Sequence, residues 1–127
     1  LKRVIDTSAW IEFLIDSAIG RKVEAEMPRR DACIVPTIVQ LELAKWLARE
    51  VTEDREEAVL ANTTECLVVP LDTPLALRAA QVSRDRKLAT ADAIIYATAL
   101  ANDAELVTCD AHFKDLPGVI YFPKARP

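Results

Sequence analysis

The sequence predicts an α/β domain with a central parallel sheet and helices on both faces. Two observations carry that expectation. Short β-prone runs alternate with longer helical patterns along the chain, which is the signature of βαβ units. No internal repeat, low-complexity tract or Gly/Ser linker interrupts the alternation, and Gly20 and Gly118 are the only glycines. At 127 residues, 51% hydrophobic and 28% charged, the chain has the size and composition of one soluble globular domain spanning residues 1–127.

The elements follow in order. Residues 2–5 (KRVI) read as a strand, followed by helical patterns over 8–15 and 18–28. CIV at 33–35 is a short strand that runs into Pro36-Thr37, a helix start for TIVQLELAKWLARE. TEDREEAVLANTTE makes a second, polar helix, and CLVV at 66–69 is a strand that stops at Pro70. Thr73-Pro74 opens a further helix, with Pro74 suited to the first helical position. Thr90 reads as the N-cap of ADAIIYATALA. The last two strands are ELVTC at 105–109 and VIYF at 119–122. Ligands of open parallel sheets bind beyond the carboxyl ends of the strands. Asp6 and Asp110 stand at two such ends.

Composition excludes several chemistries. Two glycines cannot build a dinucleotide or Walker A loop, and no glycine flanks a serine as a nucleophile elbow requires. His112 is the only histidine, so RNA cleavage by a histidine pair and a three-histidine zinc site are both excluded. Cys33, Cys66 and Cys109 are odd in number and widely spaced, which predicts buried, reduced thiols. The longest apolar stretch, Ala93 to Ala101, is too short for a membrane span, and Asp6 and Glu12 interrupt any signal-peptide core, so a cytoplasmic location is expected. A net charge of −4 argues against a simple phosphate clamp, unless bound cations neutralise some of the acids.

The chain holds 20 Asp plus Glu. Most read as solvated, such as the run Glu53, Asp54, Glu56 and Glu57. Four sit in apolar surroundings: VI-Asp6-TS, VQL-Glu42-LAKW, ATA-Asp92-AII and VTC-Asp110-AH. A carboxylate there is costly unless it is hydrogen-bonded, paired or metal-bound. Each has an ordinary explanation alone: a turn for Asp6 and Asp110, a helix N-terminus for Asp92, pairing with Lys45 for Glu42. Clustered together they would repel without a cation, and Mg²⁺ or Mn²⁺ prefers such oxygen ligands. A site of that kind suits metal-assisted phosphodiester hydrolysis.

In their order along the chain, VIDTSAWIEFL, LEL with Glu42, TADAIIYATALA and LVTCDAHF resemble the motifs of PIN-domain ribonucleases, and more closely the VapC toxins of VapBC toxin–antitoxin pairs. The resemblance covers roughly residues 3–122 and implies a three-layer α/β/α fold and a Mg²⁺- or Mn²⁺-dependent endoribonuclease. It implies Asp6, Glu42, Asp92 and Asp110 as the acidic quartet, with Asp6 and Asp110 the firmest metal ligands. Thr7, Ser8 or Thr108 would hold a carboxylate or a metal-bound water. It also implies RNA as substrate, dimerisation, a possible larger assembly, and a VapB-like antitoxin that places a basic side chain in the acidic site. Leu43, Trp46 and Leu47, with Trp10 and Phe13, are candidates for the antitoxin groove, although each aromatic reads first as an ordinary core residue. Arg84, Arg86 and Lys87 are candidate RNA contacts. Asp115 is read as an exposed turn residue and His112 as a surface or packing residue, each with a smaller claim on the site. Cys109 stands where the family often has a polar or basic residue.

Two other classes compete. One is a non-catalytic PIN-like binding module acting only through protein partners. The other is a phosphotransfer enzyme with Asp6 as nucleophile, but the second aspartate such enzymes carry two residues on is here Ser8.

Overall fold

The computed structural model describes residues 1–124. Its five strands are β1 (Arg3–Ile5), β2 (Cys33–Pro36), β3 (Leu67–Val69), β4 (Glu105–Thr108) and β5 (Val119–Tyr121). They form one all-parallel sheet in the order β3-β2-β1-β4-β5. The helices are α1 (Thr7–Leu14), α2 (Ala18–Glu26), α3 (Thr37–Glu50), α4 (Glu53–Thr64), α5 (Thr73–Arg86) and α6 (Thr90–Ala101). The chain steps one way from β1 to β2 to β3, then crosses back to β4. Right-handed crossovers therefore assign the α1–α4 connections to one face and α5–α6 to the other, giving three layers. The strand order reverses between β1 and β4, and that reversal opens a crevice at their carboxyl ends.

Burial explains the strand sequences. Val4, Ile5, Ile34, Val35, Leu106 and Val107 are at most 1% exposed. A strand covered on both faces needs a continuous apolar run rather than alternation. From α3, Val39, Leu43 and Leu47 enter the same core at spacings of four, one helical stripe.

Leu43 and Trp10 lie in the core, Leu47 is buried but also lines a surface cleft with Trp46, and Trp46 and Phe13 stay half-buried. Several expectations are corrected here. Thr90 is the first residue of α6, and Ala89 occupies the cap without a side-chain bond. Helix α5 is capped by Asp72, whose carboxylate accepts the Leu75 N–H at 3.0 Å, so Pro74 falls at the second helical position. Short 3₁₀ turns at Arg30–Ala32 and Ala111–Phe113 were not anticipated. The cysteines are unpaired, with Cys33 and Cys109 buried and Cys66 only partly so. Burial pushes the Cys33 and Cys109 thiols up to about 12. Among the described residues no helix is long and apolar enough to cross a membrane.

Gly20 fixes how α2 meets α1. A Cβ built there would lie 2.0 Å from the Glu12 carbonyl oxygen, a backbone atom that cannot swing aside. Glycine to alanine inside a helix is ordinarily stabilising. Here the sign reverses: Gly20→Ala is expected to destabilise by about 1–3 kcal/mol or more, since α2 must move off α1. Urea unfolding of the two proteins measures it; an unchanged or raised midpoint would refute the close-packing account.

Candidate metal centre

The crevice is built around Asp6. This residue ends β1 and is also the N-cap of α1: its Oδ1 accepts the Ala9 N–H at 2.9 Å and the Ser8 hydroxyl at 2.7 Å. Its Oδ2 accepts the Thr108 hydroxyl from the end of β4. Asp6 is 2% exposed. Burial pushes its carboxyl up to about 6, with the nearby Asp110 charge adding to the rise and the bonds from Thr108, Ala9 and Ser8 opposing it. The hydroxyls then reach further. Ser8 Oγ accepts the Cys109 N–H at 3.0 Å, and Thr108 Oγ1 accepts the Asp110 N–H at 2.9 Å. Asp6, Ser8 and Thr108 thereby lock the ends of β1 and β4 together.

Thr7 does a different job from its neighbour. Its hydroxyl donates to Glu42 Oε1 at 2.6 Å and ties α1 to α3. Asp92 lies in the first turn of α6 with 18% of its side chain exposed. Burial raises its pKa, Asp110 and Glu42 raise it further, and His112 draws it down. Asp110 follows β4 and caps the turn Ala111–Phe113, its Oδ1 accepting the His112 N–H at 2.9 Å. The four acids thus share one electrostatic neighbourhood: Asp6 with Asp110, Asp110 with Asp92, Asp92 with Glu42.

The groups free to converge are fewer and include one that sequence reasoning set aside. His112 Nδ1 stands 3.1 Å from Asp110 Oδ1 and 3.2 Å from Asp92 Oδ2. One ligand atom from each of Asp92, Asp110 and His112 lies within 4.8 Å of the others. Both Asp6 oxygens, by contrast, already accept hydrogen bonds. The available signal for His112 was its position, two residues after Asp110 in a run ending in Phe113, which is wholly buried. Among the described residues, no lysine or arginine pairs with Asp6, Glu42, Asp92 or Asp110. Carboxylates gathered without a basic partner, one imidazole beside them, form a donor set that fits a divalent cation.

Of the candidate basic contacts, Lys87 lines the same cleft as one of the acids. It ends α5 in the left-handed conformation (φ 57°) and lines a cleft of about 250 Å³ with Leu88, Ala89, Asp92 and His112. Arg84 lines a separate groove between α5 and α6, and Arg86 is the last residue of α5. Asp115 is exposed in a left-handed turn (φ 69°).

Comparison with known proteins places this architecture. Residues 3–119 match the PIN domain, and the chain belongs to that family. Among solved structures, a toxin–antitoxin complex from Klebsiella pneumoniae superposes with a TM-score of 0.81 at 21% identity, over 94% of this chain and 96% of that one. DNA-bound VapBC from Salmonella typhimurium gives 0.71 at 21%, over 97% and 98%. VapC20 from Mycobacterium tuberculosis, described as a sarcin-ricin loop cleaving toxin, gives 0.71 at 18%, over 93% and 97%. A search of curated proteins finds no match.

Asp6 predicts a pH dependence opposite to that of most paired carboxylates. Its folded-state pKa is raised from 3.8 to about 6, so its contribution to stability is fully present below the unfolded value and is lost as pH climbs through about 6. For metal-free protein this removes on the order of 3 kcal/mol, at about 1.4 kcal/mol per pH unit. Asp6→Asn keeps a capping side chain and is expected to flatten that loss. Urea titrations between pH 4 and 7.5 compare the two; parallel profiles would refute the buried-charge account.

Proposed function

We propose that this chain is a divalent-metal-dependent endoribonuclease, the toxin of a type II toxin–antitoxin pair of the VapBC kind. The observation that carries the reading is the convergence of Asp92 and Asp110 beside the buried Asp6 and the Thr7-bound Glu42, with no lysine or arginine paired to these acids among the described residues, in a chain of the PIN family. Its likeness to a toxin–antitoxin complex and to VapC20 supports the toxin assignment and RNA as the substrate class.

Asp92 and Asp110 would hold Mg²⁺ or Mn²⁺, with Glu42 and Asp6 completing the negative field around it. The bound ion would supply charge neutralisation at the phosphate and acidify a water for attack. The protein's share is positioning. Thr108 and Ser8 fix Asp6 between the two strand ends, and the Asp110 cap holds the following turn beside α6. Thr7 orients Glu42, a carboxylate suited to orienting or deprotonating the attacking water. Lys87, at the mouth of the same cleft, is placed to meet an RNA phosphate and offset the net negative charge of the chain.

The partners follow from the same reading: a homodimer within a toxin–antitoxin assembly in the cytoplasm, and an antitoxin that directs a basic side chain at the acids. Trp46, Leu14, Ile15 and Val51 line an open cleft of about 560 Å³ that could receive an apolar antitoxin segment.

Purified, antitoxin-free protein is expected to cut members of a mixed RNA panel with Mn²⁺ or Mg²⁺ and to stop with EDTA. Asp110→Asn should slow cleavage by about two orders of magnitude or more, as loss of a metal ligand does. Folded protein that cuts nothing with either metal would favour a non-catalytic binding module. Lys87→Ala should weaken RNA binding across sequences, with a smaller salt dependence measured by fluorescence anisotropy. An unchanged salt slope would remove Lys87 from the interface.

A further inference from the structure

We infer that His112 is the third protein ligand of the metal, and that its nitrogen makes the centre discriminate for a first-row transition ion such as Mn²⁺ against Mg²⁺. The inference rests on the metal-centre reading above and adds to it the identity of a ligand and the selectivity that follows.

The geometry comes first. Ligand atoms about 2.1–2.2 Å from a common octahedral ion stand about 3 Å from their nearest neighbours. His112 Nδ1 is 3.1 Å from Asp110 Oδ1 and 3.2 Å from Asp92 Oδ2, the spacing of two adjacent ligand pairs. Those distances also fit a proton on Nδ1 shared with the carboxylates. The two occupants differ in what they demand of the ring: a ligating Nδ1 offers its lone pair and leaves the ring proton on Nε2.

The placement of the ring is built in from below. Asp110 accepts the His112 backbone N–H, so one carboxylate and the imidazole are set by a single turn. Phe113, the next residue, is 0% exposed and packs against Tyr96 with ring centroids 6.5 Å apart. Tyr96 lies on α6, the helix that carries Asp92, and its hydroxyl donates to the Pro117 carbonyl at 2.7 Å beyond the turn. The packing of Phe113 on Tyr96 thus ties the turn that carries His112 to the helix that carries Asp92. The histidine ring itself is 73% exposed, which leaves room for an ion and its waters.

Selectivity follows from ligand chemistry. Mg²⁺ favours an all-oxygen octahedron, whereas imidazole nitrogen strengthens binding of first-row transition ions. A site of two carboxylates and one imidazole therefore gains affinity for Mn²⁺ from His112 and gains little for Mg²⁺.

The test loads the full chain with Mn²⁺ and, separately, with Mg²⁺. Pulsed electron paramagnetic resonance of the Mn²⁺ form is expected to show a directly coupled ¹⁴N that disappears in His112→Ala. Calorimetric titration should show His112→Ala weakening Mn²⁺ about tenfold or more, while Mg²⁺ changes by less than about threefold. Mn²⁺ bound equally by both proteins, without nitrogen coupling, would overturn the role of His112 and leave the carboxylate centre standing. Folded parent protein that binds neither ion would overturn the metal centre itself, and the ligand assignment with it. Because the side chain is exposed, circular dichroism is expected to show the same folded state for parent and variant.

Discussion

The parallel pairing of β1 with β4 is the contact on which everything else in the molecule turns. These strands lie at opposite ends of the sequence, and their register aligns Arg3 with Glu105, Val4 with Leu106 and Ile5 with Val107. One residue beyond that ladder, the Asp6 N–H still donates to the Val107 carbonyl at 3.1 Å, and then both chains turn away. The fold is thus able to present an acid from each end of the polypeptide at one point. The hydroxyls of Ser8 and Thr108 convert that proximity into a fixed distance by bonding to Asp6 across the divide. Without the strand order β3-β2-β1-β4-β5 the two aspartates would have no reason to meet.

The centre asks the rest of the protein for stability. A carboxylate that is 2% exposed, beside a second acid, resists ionisation. What compensates is a core in which the inner strands are covered on both faces, and a set of neutral donors, two hydroxyls and one backbone N–H, that solvate the charge without cancelling it. Using neutral donors in place of a lysine or arginine preserves the negative field that a cation could use.

Much of this was legible in the sequence because local signals and tertiary demands agree. The five apolar runs become five strands; Asp6 and Asp110 follow β1 and β4, Asp92 lies in the first turn of α6, and Glu42 accepts the Thr7 hydroxyl from within α3. Misjudgements arose where packing decided. Thr90 has the chemistry of a cap, yet the chain leaves α5 through Lys87 in the left-handed conformation and reaches α6 after only Leu88 and Ala89, which leaves the cap position to Ala89. Trp10 and Leu43 take the core position that is the more ordinary reading of such residues, in line with the buried stripe that Val39, Leu43 and Leu47 describe. The proximity of His112 to Asp92 was hidden for a different reason. Its neighbour Asp92 is twenty residues away in the chain, and only the docking of α6 beside the turn that follows β4 brings them together.

The anchoring of the last turn by Phe113 gives the molecule a mechanical property. Asp110 caps, and His112 sits within, a three-residue turn whose last side chain, Phe113, is plugged into the core against the aromatic ring of Tyr96 on α6. The position of the turn is tied to how tightly that aromatic pair is seated. Loosening of the core by heat, denaturant or a cavity beneath Phe113 would be transmitted as a displacement of the outermost side chains before the sheet itself opens. The crevice that gathers the acids would then be the first part of the molecule to lose its shape, a fuse that opens while the protein is still folded.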